Sequence, residues 1–180
     1  DYTDAYEMDG YAKHIEYIYN IMIDTYIQNY IQNKKYKNIR ILENRTHKVS
    51  DILDGWRMAL NIVLECDTYI IHGDRYFSES CIQKSKNTHL LIHNNDKSNY
   101  DLGISYKDDN FINMSYGLPD IWSEIFFISK KDISAAKNII NDHKKRKIYT
   151  LESYINKLSE KMKILVVKEE TKSIIPLKDL

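Results

Sequence analysis

His72, Gly73, Asp74 and Arg75 form a dense group of chemistry-bearing residues in this sequence. Residues two apart on an extended chain point to the same side, so the carboxylate of Asp74 can reach the His72 imidazole, fix its tautomer and support proton transfer. Gly-Asp after an apolar run is equally common turn punctuation. No nucleophile stands beside the group, since Ser78, Ser80 and Cys81 follow it only at scattered positions.

Asp120 and Glu124 form a second acidic set, with Lys130 further on. Two carboxylates and a lysine can hold a divalent cation against a phosphodiester. Pro119-Asp120 followed by Glu124 resembles the metal-dependent nuclease pattern in which Pro-Asp precedes an acidic-x-Lys strand. This chain departs from that pattern where Phe126 replaces the lysine, and Asp120 also suits the first turn of a short helix after Pro119, with Trp122 packing inward. His89 and His93 have the spacing of a helical zinc site, but their context predicts a strand, where four residues span roughly 13 Å. No shared metal is expected there. Cys66 and Cys81 match no metal clip and read as buried thiols. With only five glycines, none in close series, the chain has no phosphate-cradling loop, and no cofactor is expected.

The elements that must position these residues follow from apolar spacing. Tyr11, Ile15, Ile18, Met22, Tyr26 and Tyr30 recur at three- and four-residue steps and predict a long amphipathic first helix. Residues 37–42 read as a short strand, and Ser50 caps a helix carrying Leu53, Trp56 and Leu60, with Trp56 expected against the sheet. The period then changes, and 68–72, 88–93, 100–106 and 111–116 read as strands. Lys107-Asp108-Asp109-Asn110 suits a hairpin turn. Beyond the break at Gly117-Leu118-Pro119, a strand over 124–128 feeds a helix from Ser129, which has capping-box spacing to Asp132. A further helix begins near Thr150, a strand follows over 163–167, and a peripheral tail starts at about 169. The expected fold class is α+β: an antiparallel meander-containing sheet packed with about four helices, the long N-terminal amphipathic helix among them. No Gly-, Ser- or Pro-rich linker interrupts the chain, so residues 1–180 are expected to form one globular domain.

The 180 residues are 43% apolar, enough for folding to bury roughly 70% of the unfolded surface at this size. Twenty-six basic residues balance 26 acidic ones, so no overall field draws in nucleic acid, and general nucleic-acid binding is not expected. No apolar run is long enough for a membrane span, and the start lacks signal-peptide organisation, which suggests a cytoplasmic setting. The chain opens at Asp1 without an initiator methionine, an expected trace of trimming or excision.

Lacking a contiguous catalytic set, the sequence points first to a non-catalytic protein-binding module, such as an immunity or antitoxin-type protein that caps a toxin active site. Asp4, Glu7, Asp9, Asp108 and Asp109 would face a protein partner, such as a basic toxin domain. One alternative is a small metal-dependent phosphodiesterase or nuclease-like enzyme built on His72, Asp74, Asp120 and Glu124. Another is a viral or host-interaction domain.

Overall fold

In the computed structural model of this chain, the residues described are 33–34, 52–73, 75–78, 81–82, 85–93, 101–142, 145, 148–169 and 174–176. The chain divides into two compact units, 1–63 and 64–180. In the first, helix α1 (Ile52–Ile62) buries Leu53, Trp56, Ala59 and Leu60, the stripe that three- and four-residue spacing dictates. The expected helix over residues 11–30, the strand over 37–42 and the Ser50 cap lie outside the described residues, as do Asp4, Glu7 and Asp9.

The second unit holds strands β1 (Thr68–Ile71), β2 (Arg75–Phe77), β3 (His89–His93), β4 (Leu102–Lys107), β5 (Asn110–Tyr116), β6 (Asp120–Ile128), β7 (Leu165–Glu169) and β8 (Ile174–Pro176), with helices α2 (Ile133–Asn141) and α3 (Leu151–Ser159). The larger sheet runs β1-β6-β3-β7-β5-β4, and β4 also pairs with β6. Five strands, β6, β3, β7, β5 and β4, therefore close on one another, and β1 extends the β6 edge. The sheet is mixed, because β3 and β7 run parallel while the other pairs run antiparallel. A separate ribbon joins β2 to β8, so part of the stretch beyond residue 169 is a strand.

This architecture corrects the expected α+β meander with four helices. Among the described residues there are three helices, and β3 pairs with β6 and β7, strands distant in sequence, rather than with β4. Parallel β3 and β7 need a long crossover, and the α2 and α3 segments lie within it. All five residues of β3 are buried, the signature of a strand covered on both faces.

The hairpin is where it was expected. Asp108 and Asp109 have φ of 49° and 58°, as a two-residue turn with both centres left-handed requires, and Asp tolerates that region better than most residues. On β5, Met114 is buried, while Ile112 and Tyr116, two positions to either side of it, are exposed. Asn156 of α3 supports β5 by accepting from the Met114 N–H at 2.8 Å and donating to the Met114 carbonyl at 3.0 Å. Tyr154, fully buried, donates to the Ala136 carbonyl at 3.0 Å and ties α3 to α2.

Helix α2 begins later than Ser129. Asp132 is its N-cap but makes no side-chain capping bond, because its carboxylate is used elsewhere. It accepts from Thr88 Oγ1 at 2.6 Å and from Ser129 Oγ at 2.9 Å. The Ser129 N–H donates to Thr88 Oγ1 at 3.1 Å. Helix α3 begins where it was expected, and its N-cap Thr150 accepts from the Ser153 N–H.

Candidate functional site

Strand β6 is bent. In its pairing with β3, Leu90 faces Phe126 and Ile92 faces Trp122, so Ser123, Glu124 and Ile125 together oppose Leu91. This is a β-bulge, which bends a strand and re-aims its side chains. The bulge separates the part of β6 that pairs with β1, Ile125–Ile128, from the part that pairs with β4. At its centre Glu124 has φ of 62°, a left-handed conformation that costs a non-glycine residue about 1–3 kcal/mol and persists only where neighbours over-determine it. Those neighbours are on hand. The Trp122 indole donates to the Ile125 carbonyl at 3.1 Å, Ser123 Oγ donates to the Leu91 carbonyl at 2.7 Å, and the His72 N–H donates to the Glu124 carbonyl at 3.3 Å.

The bulge brings Glu124 to His72. His72 Nδ1 lies 3.3 Å from Glu124 Oε2, and its ring stands edge-on to Trp122 with centroids 5.5 Å apart. Both side chains are largely but not fully buried, at 17% and 26% exposure. A carboxylate there fixes an imidazole tautomer and orientation. His72 follows β1 directly, so the pair sits at the carboxyl end of that strand.

Two of the four sequence candidates thus converge across 52 positions. Asp120 does not join them. It opens β6 as a strand residue opposite Ile104, not as the acid of a short helix. Its charge acts on Lys168, whose ammonium is raised above its ordinary value first by the Tyr106 hydroxyl beside it and then by Asp120 and Asp109. Lys168 Nζ also lies 5.4 Å from the Tyr106 ring centroid. Asp74 lies outside the described residues. Asp108 and Asp109 shape the hairpin turn. Trp122 and Ser123, which brace the bulge, were missed as functional residues, because a bulge leaves no period in the sequence.

His89 and His93 occupy the two ends of β3. His89 stacks on Phe127 at 4.8 Å, meets Tyr69 edge-on at 6.0 Å, and sets Nδ1 3.1 Å from the Asn87 carbonyl oxygen. Burial lowers its pKa from 6.5, with the Asn87 carbonyl opposing. It is a core histidine whose charged form burial disfavours. Among the described residues, no group of three His, Cys, Asp or Glu side chains gathers to hold a metal. Both cysteines are free, Cys81 buried and Cys66 half-buried.

An open groove of about 550 Å³ lies at the other end of β1, lined in part by Glu65, Asp67, Lys86, Lys130 and Lys131. Its polar groups answer one another. The Lys130 N–H donates to Asp67 Oδ1 at 2.7 Å, Lys131 Nζ to Asn87 Oδ1 at 3.1 Å, and Ser134 Oγ to Glu65 Oε1 at 3.1 Å. The chemistry at the carboxyl end of β1 therefore carries more weight than this groove.

No protein-family model matches the sequence, and no curated protein sequence matches it significantly. Solved structures do. The CTP:phosphocholine cytidylyltransferase of Streptococcus pneumoniae superposes with a TM-score of 0.73 at 14% identity, covering 91% of this chain and 74% of that one. A nucleoside-diphosphate-sugar pyrophosphorylase from Vibrio cholerae RC9 gives 0.68 at 10% identity, covering 93% and 78%. The inositol-1-phosphate CTP transferase of T. maritima gives 0.63 at 12% identity, covering 87% and 67%. These likenesses overturn the expected immunity-type module and its toxin-neutralising role, which rested on the lack of a contiguous catalytic set. The matched structures named above are nucleotidyl-transfer enzymes, so the nuclease alternative draws no support from them. The chain has the fold of the nucleotidyltransferases.

Proposed function

We propose that this chain catalyses nucleotidyl transfer from a nucleoside triphosphate to a phosphorylated small molecule. The single observation that carries this reading is the match to the phosphocholine cytidylyltransferase over 91% of the chain. In such a reaction an oxygen of the acceptor's phosphate attacks the α-phosphorus. The bond from that phosphorus to the bridging oxygen breaks, and pyrophosphate leaves. Little covalent chemistry falls to the protein, whose part is positioning and charge neutralisation.

The triphosphate arrives with a divalent cation as part of the substrate. In sequence, Asp74 lies two positions after His72, and it is the carboxylate we assign to the reaction with the triphosphate. Residues 1–180 are read as one functional domain on the same ground. No helix among the described residues is long and apolar enough to cross a membrane, and the need for nucleoside triphosphates favours a cytoplasmic setting.

The test is pyrophosphate release by the purified chain. Each nucleoside triphosphate is supplied with Mg2+ and, in turn, phosphocholine, inositol 1-phosphate or a hexose 1-phosphate, with the coupled product identified by mass. Acceptor-dependent release with one preferred pair is expected, falling about 100-fold in Asp74→Ala. No acceptor-dependent release from any pair overturns the proposal.

A further inference from the structure

The described residues contain three non-glycine residues with left-handed backbone, and two of them, Asp108 and Asp109, are accounted for by their turn. Glu124 is in no turn. It sits inside β6, at a position where glycine would adopt the same φ without penalty. Trp122, Ser123 and the β1 end hold it there through three hydrogen bonds.

In this conformation Glu124 presents two acceptors to one residue. Its carbonyl takes the His72 N–H at 3.3 Å, and its carboxylate faces His72 Nδ1 at 3.3 Å. Trp122, from the same bulge, braces the imidazole edge-on. Backbone and side chain of His72 are thus both fixed by β6. His72 is also where the chain leaves the large sheet, because β2 begins at Arg75 and pairs with β8 in the separate ribbon. One strained residue sets the point of exit.

We propose that Glu124 is a positioning residue for the reaction: acting through His72, it holds the carboxyl end of β1 in the geometry that substrate requires. The proposal rests on the nucleotidyl-transfer reading. Glu124 acts through another residue and need not touch substrate. A purely structural glutamate would be expected to stabilise the fold, whereas this one occupies a conformation that glycine fits better.

The test compares Glu124→Gly, Glu124→Gln and His72→Ala in the full chain. Three quantities are read: melting temperature, kcat and KM for acceptor-dependent pyrophosphate release, and amide hydrogen exchange at His72 and Gly73. Glu124→Gly is expected to keep or raise the melting temperature while kcat falls about 10-fold with little change in KM. Exchange at His72 and Gly73 should quicken, with the rest of β6 unaffected. Glu124→Gln, which keeps an acceptor for the His72 side chain, should recover most of kcat, and His72→Ala should match the glycine variant in kcat. A lower melting temperature with kcat and local exchange unchanged overturns the proposal. If the glycine variant both melts earlier and turns over more slowly, faster exchange confined to His72 and Gly73 supports it, and faster exchange throughout the unit overturns it. Where the unaltered chain transfers nothing, the nucleotidyl-transfer reading fails, and the exchange comparison alone judges the clamp by the same criterion.

Discussion

The two ends of the β1–β6–β3 region use polar groups in opposite ways. Where β1 and β3 begin, Thr88, Ser129 and Asp132 saturate one another, and Thr88 and Ser129 are buried. No described residue there has a left-handed backbone. Where β1 ends, His72 meets Glu124 across a bulge that forces a non-glycine residue to φ of 62°. The first arrangement stabilises by satisfying buried donors and acceptors. The second keeps strain that a glycine would remove, as functional sites often do. Hydrogen bonding alone therefore does not mark a working site; a polar pair maintained against backbone preference is the better sign.

The contrast can be broken most directly at Asp132. Asp132→Ala leaves the buried Thr88 and Ser129 hydroxyls without their shared acceptor, and should cost about 2–3 kcal/mol in urea denaturation while leaving kcat unchanged. A loss of kcat at undiminished stability would show that the two ends are not separate in role. Thr88→Val keeps the shape but removes the hydroxyl that the Ser129 N–H donates to. It should cost about 1–2 kcal/mol, again without effect on turnover.

Acid sensitivity is expected at the structural end too. Burial keeps the folded pKa of His89 below 6.5, so near that pH the unfolded chain takes up a proton that the folded chain refuses. Its contribution is complete above pH 6.5 and is lost as pH falls through the lower folded value. His89→Phe, which keeps a ring against Phe127, should flatten this part of the stability profile between pH 7 and 5. An unchanged slope would show that the acid response lies in other groups.

The smallest effect sharpens the comparison most. Asp109→Gly relieves a left-handed residue in a hairpin turn, and should raise stability by up to about 1 kcal/mol with turnover unchanged. Glu124→Gly relieves a residue of similar φ, yet turnover should fall. Equal behaviour of the two variants in both assays would remove the distinction between turn strain and site strain.

Much of the local structure was legible in the residues. The Lys107–Asn110 turn and the start of a helix near Thr150 follow from short-range chemistry, and the structure places both where the sequence predicts. Ser129 and Asp132 were correctly paired, but the pairing ties them to Thr88, 41 and 44 positions away, rather than starting a helix. His72 and Glu124 were each identifiable as chemically capable. Nothing local to either marked the other as its partner, and Asp120 looked equally suited.

By itself, the sequence determined roughly where β1, β3, β4, β5, β7 and the helix near Thr150 form, because propensity and turn chemistry act over a few residues, while β2, β8 and the first half of β6 left no such local signal. It also identified which side chains had chemistry to offer. The tertiary structure alone decided that β7 lies parallel beside β3, that β6 bends to meet both β1 and β4, and that the bend delivers Glu124 to His72. Such pairings join positions tens of residues apart. They are settled by which closed arrangement buries the apolar strand faces together, and no window along the chain contains that information.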